Sequence, residues 1–407
     1  MNSPITDRGL LLRATAATLQ MLRDEQTLES ADVSSADAIG KLEAALKWAD
    51  EEDVPEPALE SAAPGLAEPY VPSNATLSLV QSAFDEFVKA KKEAGLPIPF
   101  DPATDPGFNT IAAEKVKAAQ RGAHPFIQHE TIESFRYHLP DDAVVALFAD
   151  WGTGEPTAQR VMDQIKLCNP THAIHLGDVY YSGTPDEVKS RFLDIIDDHG
   201  PSRSTCKYFA LPGNHDMYSG GYAFFDTVIP FCGIQEGSYF NLRNAHWQLI
   251  GLDSGYNEYD LYGPQPEWLS GQLAAAPSPK SSIVLSHHQL FSPYDKRTLG
   301  QPLLAKAKPL LADVYAWFWG HEHRCVVMGE HMEIKARCIG HGAMPTKVPF
   351  GAPLFPDVPV AQVDERASSS PEGGVIHGFA LLRFAGDRID VSYIDEFGDE
   401  FFREQFT

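Results

Sequence analysis

Apolar positions in the first part of the chain recur at helical spacing. Ile39, Leu42, Leu46 and Ala49 fall three or four residues apart behind a capping candidate at Ser35. Leu77, Val80, Phe84 and Val88 do the same behind Ser73, and Gly95 closes that run. Near the start, Arg13 interrupts the apolar residues 10–12 and Arg23 follows. This is the pattern of an amphipathic helix, not of a secretion signal. Two proline-rich passages, the acidic residues 50–72 and residues 96–107, are expected to be loops or linkers.

From about residue 140 the texture changes to short apolar strands that end in polar clusters, with helical patterns between them. Residues 144–149 run into Asp150, residues 173–176 into Gly177 and Asp178, and residues 208–211 into Gly213 and Asn214. Residues 283–285 lead to His287, and residues 316–319 lead to Gly320 and His321. Ligands of an open α/β sheet bind beyond the carboxyl ends of its strands, so these five tips are expected to meet at one edge. The alternation in residues 378–402, around Ala385-Gly386-Asp387, predicts a hairpin that closes a second sheet. A break at residues 122 and 123 is therefore expected to divide a helical accessory region (1–122) from a strand-rich domain (123–407).

Composition removes several classes. At 407 residues with 43% hydrophobic and 22% charged, the chain is neither disordered nor membrane-like in composition. No apolar run approaches the roughly 20 residues that span a bilayer. With no leader evident, the expected location is the cytoplasm. A formal net charge of -24 repels nucleic acid at long range but allows a small phosphate ester at a local cation site. The five cysteines are scattered, and no pair shows Cys-x-x-Cys spacing. They are expected to be unpaired, with Cys325 a buried hydrophobe although it stands two residues after His323.

The tips carry Asp150, Asp178, Tyr181, Asn214, His287, His321 and His323. Oxygen and imidazole donors without cysteine suit Fe, Mn or Zn. Two ions gripping one phosphate need a shared carboxylate. Asp178, in a Gly-Asp turn directly after a strand, is the natural bridge. His321 and His323 in Gly-His-Glu-His would point to opposite sides of an extended tip, one to each ion, with Glu322 turned away. The amide oxygen of Asn214 would leave net positive charge at its ion. Of the adjacent tyrosines, alternation along the chain would turn Tyr180 the other way from Tyr181.

Five ordered blocks carry a resemblance: Asp150-Trp151-Gly152, Gly177-Asp178-Val179-Tyr180-Tyr181, Gly213-Asn214-His215-Asp216, Val284-Leu285-Ser286-His287 and Gly320-His321-Glu322-His323. Over residues 140–345 the chain resembles the calcineurin-like metallophosphoesterase superfamily. Within it, Gly152 in place of a histidine and a tyrosine three residues after Asp178 resemble the purple acid phosphatases. The resemblance implies an α/β (α+β) four-layer αββα sandwich. One ion would be held by Asp150, Asp178, Tyr181 and His323, the other by Asp178, Asn214, His287 and His321. It implies Fe(III) at the tyrosine site, with Fe(II), Zn or Mn at the second. His215 is the implied group for binding phosphate or protonating the leaving alkoxide.

The implied reaction is hydrolysis of a phosphomonoester by in-line attack of a metal-bound hydroxide, with Asp178 and His215 as its catalytic residues. The alternatives are a phosphodiesterase acting on nucleotides or phospholipid head groups, and a non-catalytic scaffold. His288 is open between substrate contact and packing, and His341 is a third candidate for substrate binding. Asp253 reads as a strand-end turn, and Trp151 and Tyr218 as cleft-shaping residues. Asp216 stands where many purple enzymes have glutamate. The expected partner is a small phosphate ester, with no nucleic acid and no membrane. The N-terminal helices are expected to pack on the catalytic domain or to make oligomer contacts.

Overall fold

In the computed structural model, residues 7–28, 33–52, 70–96, 101–296, 301–371 and 373–407 are described. Most of the acidic proline-rich passage at 50–72 therefore lies outside the described residues. Four helices come first: α1 (Arg8–Leu28), α2 (Val33–Glu51), α3 (Ala75–Glu93) and α4 (Pro106–Ala118). Their buried faces, including Leu11, Leu42, Leu77, Phe84, Phe108 and Val116, form one apolar cluster of their own. The cap of α3 is Asn74 and not the expected Ser73. Its side-chain oxygen accepts from the backbone of Thr76 and Leu77. α2 already begins at Val33, ahead of Ser35. Asp105 caps α4 with Pro106 at its first position, so the second proline-rich passage ends by starting a helix.

The strands are β1 (Arg136–His138), β2 (Val144–Phe148), β3 (His172–His175), β4 (Lys207–Ala210), β5 (Phe240–Arg243), β6 (Gln248–Gly251) and β7 (Ser282–Leu285), followed by β8 (Ala316–Trp319), β9 (Cys325–Met328), β10 (Lys335–Ile339), β11 (Val360–Val363), β12 (Gly378–Ala385), β13 (Arg388–Asp395) and β14 (Glu400–Phe406). Among the described residues they make two sheets. One has eight strands in the order β1-β5-β6-β7-β8-β10-β9-β11, the other six in the order β14-β13-β12-β2-β3-β4. β2, β3 and β4 run parallel, as do β6, β7, β8 and β10.

Strand alternation builds the layers. Val145, Leu147, Ile283, Leu285, Ala316 and Phe318 point between the sheets into a shared core. Their neighbours Ala146 and Phe148 face helix α5 (Pro156–Leu167), while Val284, Trp317 and Trp319 face the helix Gln265–Ala274. The result is an αββα sandwich of mixed α/β type, as the blocks implied. The hairpin turns at Gly386 and Asp387 with Ala385 opposite Arg388, and β12 joins it to β2. The five cysteines are unpaired, and Cys325 lies in the core between the sheets.

His172, at the start of β3, is 1% exposed, and its Nε2 has no hydrogen-bond partner among the described residues. Burial, and then Lys207 and His138, push its pKa down to about 4. Between pH 6.5 and about 4 the unfolded chain binds a proton here that the folded chain refuses. The stability tied to a neutral imidazole is whole above pH 6.5 and is lost as the pH falls to about 4, an effect of up to about 3 kcal/mol. His172→Phe is expected to flatten the fall in melting temperature between pH 7 and pH 4.5, measured calorimetrically beside the wild type. An unchanged slope would show that this histidine is not a source of acid lability.

Candidate metal centre

The parallel strands of both sheets deliver their carboxyl ends to one place. From the six-stranded sheet come Asp150 after β2, Asp178 after β3 and Asn214 after β4. From the eight-stranded sheet come His287 after β7, then His321 and His323 after β8. The tips touch across the sheets. The His321 N–H donates to Asp150 Oδ2 at 2.7 Å, and His287 Nδ1 lies 2.9 Å from the Leu176 carbonyl.

Two groups of donors result. In the first, ligand atoms of Asp150, Asp178 and His323 lie within 4.8 Å of one another. The Tyr180 hydroxyl sits 3.0 Å from both Asp150 Oδ1 and His323 Nε2. In the second group, His287 Nε2 is 3.1 Å from Asn214 Oδ1, 3.1 Å from His321 Nδ1 and 3.4 Å from Asp178 Oδ2. Asp178 thus faces both groups. Its Oδ1 accepts from the His215 N–H, while its buried Oδ2 has no hydrogen-bond partner among the described residues. A buried carboxylate oxygen left without a donor, amid imidazole nitrogens and a second carboxylate, fits a cation. The donor set fits one ion in each group.

Left-handed backbone makes these approaches. Asp150 (φ 54°), Asp178 (φ 78°), His321 (φ 67°) and His323 (φ 51°) all occupy a region that disfavours side chains, at roughly 1–3 kcal/mol each. One histidine does go to each group, but through this backbone and not through the alternation of an extended tip. Gly320 is required by space: a Cβ there would lie 2.5 Å from Asp150 Oδ2. Glu322 turns away, taking hydrogen bonds from Ser292 Oγ and, at 3.0 Å, from Trp319 Nε1.

The electrostatics demand positive charge. Burial, reinforced by Asp178 against the opposing pull of His287, raises Asp150 to about 8. Burial would raise Asp178 as well, but His287 and His215 outweigh it and hold that carboxyl well below the usual range. Burial opposes charge on His287, yet Asp178 and then Asp150 draw it up to about 9. Tyr180 is raised well above 10 by burial and by both carboxylates, so only a strong cation would make it a phenolate.

Residues 143–325 match the family model for calcineurin-like phosphoesterases. A calcineurin-like phosphoesterase domain therefore accounts for residues 143–325. A 3',5'-cyclic adenosine monophosphate phosphodiesterase of Vibrio vulnificus is 38% identical over 103 residues, covering 25% of this chain and 34% of that protein. The chain therefore spans about a third of the length of that curated relative. Among solved structures, a purple acid phosphatase from yellow lupin (Lupinus luteus) seeds aligns with a TM-score of 0.48 and 15% identity, over 66% of this chain and 54% of that one. A dimetal phosphatase from Danio rerio aligns at 0.41 and 13%, over 65% and 98%.

Within this phosphoesterase domain, several expected placements differ. The tyrosine oxygen at the first group belongs to Tyr180, not Tyr181. Alternation holds only in extended backbone, and Gly177 (φ 106°) and Asp178 (φ 78°) take the chain out of it. Tyr181 instead lies under the Arg191 guanidinium, 5.1 Å from ring centroid to carbon. His215 packs at a tilt against Tyr180 and Tyr218, and its Nδ1 bonds the Tyr181 carbonyl at 2.6 Å, leaving Nε2 for another partner. Burial lowers its pKa below 6.5 despite Asp178.

His288 packs with His287 and His321 and bonds Ser254 Oγ at 3.1 Å, in the second group. His341 is not brought to the donors. The flanking Gly340 faces Asp150, while His341 Nε2 turns toward Gly378 of β12. Trp151 is fully buried and donates to the Ala158 carbonyl in α5, so it shapes the core and not a cleft. Tyr218 accepts from Asn214 Nδ2, which aims Oδ1 at His287. Asp253 closes a turn through the Gly255 and Tyr256 amides.

Sequence reasoning missed three supports. Asp216 Oδ2 accepts from the Asp178 and Gly213 amides, both at 2.8 Å, and ties two tips together. Tyr259 holds His321 Nε2 at 2.8 Å, turning Nδ1 toward the group. Glu187 gathers the backbone after Tyr180. Local signals were present for Glu187, in the capping pattern Thr184-x-x-Glu187, and for Asp216, which bonds the Gly213 amide three residues back, but not for Tyr259.

Tyr180→Phe is expected to weaken one of two bound ions by tenfold or more, by analogy with other groups around metal sites, while Tyr181→Phe leaves both in place. Elemental analysis after dialysis against a chelator separates the two. Loss of metal from Tyr181→Phe alone would restore Tyr181 as the donor.

Proposed function

We propose that this chain hydrolyses small phosphomonoesters at a dinuclear centre. Asp150, Asp178, Tyr180 and His323 hold one ion, and Asp178, Asn214, His287 and His321 the other. The observation that carries this reading is the Tyr180 hydroxyl, 3.0 Å from both Asp150 Oδ1 and His323 Nε2. A phenol oxygen in that position favours a trivalent ion, so the pairing proposed is Fe(III) there with Fe(II), Zn or Mn in the second group. When bound, such a pair supplies Lewis acidity and positive charge for the phosphoryl oxygens.

The chain's own groups supply the rest. Gly152 pairs with Val179, and a Cβ there would lie 2.8 Å from the Asp178 carbonyl. No donor side chain fits at that place, and Tyr180 provides the oxygen instead. Asn214 contributes a neutral oxygen, leaving its ion more positive toward a dianionic ester. His215, with Nδ1 held by the Tyr181 carbonyl, offers Nε2 to a phosphoryl or leaving-group oxygen. A diesterase is the second reading, supported by the 103-residue match to the cyclic nucleotide phosphodiesterase.

Kinetics with p-nitrophenyl phosphate beside bis-p-nitrophenyl phosphate tests the choice. The monoester is expected to dominate, and His215→Ala to lower kcat by roughly 10²–10⁴. Dominant diester turnover would overturn the monoesterase reading. Absence of turnover of either ester by the metal-loaded wild type would leave a scaffold, and turnover unaffected by His215→Ala and Asp178→Asn would put the chemistry outside this site.

A further inference from the structure

The loop that carries Tyr180 is held from two sides, and one side belongs to the N-terminal helices. The Glu187 carboxylate accepts from the Tyr181 N–H at 2.6 Å, the Ser182 N–H at 3.1 Å and the Thr184 N–H at 3.0 Å. Arg191 Nη1 donates to the Tyr180 carbonyl at 2.7 Å. These two residues hold the peptide group between the two tyrosines and the backbone that follows it. Each is in turn held by α3. Ser82 Oγ lies 2.8 Å from Glu187 Oε1 and 3.0 Å from Ser182 Oγ, and the Asp85 carboxylate pairs with Arg191 Nη2. Ser82 and Asp85 stand three residues apart, on one helical face. Ser82 and Glu187 are 3% and 5% exposed, and the Arg191 and Asp85 side chains 14% and 22%, so the ion pair is not one fully open to screening by solvent.

We infer that α3 is part of the metal centre's support: Ser82 and Asp85, acting through Glu187 and Arg191, position Tyr180 against Asp150 and His323. This rests on the dinuclear reading above and gives the N-terminal helices a role beyond packing. A guanidinium tied at one end to Asp85 can hold the Tyr180 carbonyl in one place. Released from Asp85, it retains side-chain freedom that blurs the position of the phenol oxygen. Apart from the shared Asp178, the second group is built on β4, β7 and β8 and takes no donor from this loop.

The test uses the full chain stripped of metal and titrated with Zn(II) against a chromogenic chelator, for the wild type, Ser82→Ala, Asp85→Asn and the double variant. Wild type is expected to take two equivalents. In the variants one equivalent should bind about 10–100-fold more weakly and the other unchanged, the size typical when outer partners of a metal ligand are removed. Melting of the metal-free proteins accompanies the titration. Two wild-type affinities in the double variant, with only a lower melting temperature, would show that α3 merely packs and would overturn the inference. Fewer than two equivalents in the wild type would instead overturn the dinuclear reading and this inference with it. Should the double variant not fold, the single variants decide.

Discussion

Bringing two carboxylates within 4.8 Å of each other in a place closed to water is unfavourable without compensating charge, and Asp150 and Asp178 are 0% and 1% exposed. At such separations like charges repel by roughly 4 kcal/mol even at an effective dielectric of 20. No lysine or arginine among the described residues pairs with either; the neighbours are histidines, a phenol and an amide. The protein alone can relieve this only with protons, on Asp150 and on His287, which is the direction both raised pKa values take. Cations relieve it better, because they use every lone pair that converges there.

The remainder of the domain is arranged so that this convergence persists. Parallel strands from two sheets are locked by a core that both share, so their carboxyl ends cannot drift apart without opening the sandwich. Left-handed backbone at four of the donors is unfavourable locally and is held by neighbours that leave no alternative: Asp216 on two amides, Asp150 on the His321 amide, Gly320 beside Asp150. The tyrosine loop, which no strand continues, is held by Glu187 and Arg191.

Much of the fold is legible in the sequence because its signals are local. Apolar runs of four or five residues ending on Asp, Asn or His mark the strand tips, and their order points to one edge. The donors fall into two groups on either side of Asp178, through left-handed backbone and not through the alternation expected of an extended tip. What was not legible depends on backbone that breaks those periods. The choice between Tyr180 and Tyr181 turns on φ values at Gly177 and Asp178. The placement of His341 turns on which face of the segment after β10 meets Asp150. The supports at Asp216, Glu187 and Tyr259 come from hydrogen bonds across 38, 6 and 62 residues. Glu187 and Asp216 leave a trace in local spacing, and Tyr259 does not.

Anomalous diffraction from crystals grown with the purified protein's own metals tests the central claim most directly. Two peaks are expected, roughly 3.5–4 Å apart. One should lie against Asp150, Tyr180 and His323, the other against Asn214, His287 and His321, with Asp178 touching both. A single peak, or ions bound away from Asp178, would contradict the account.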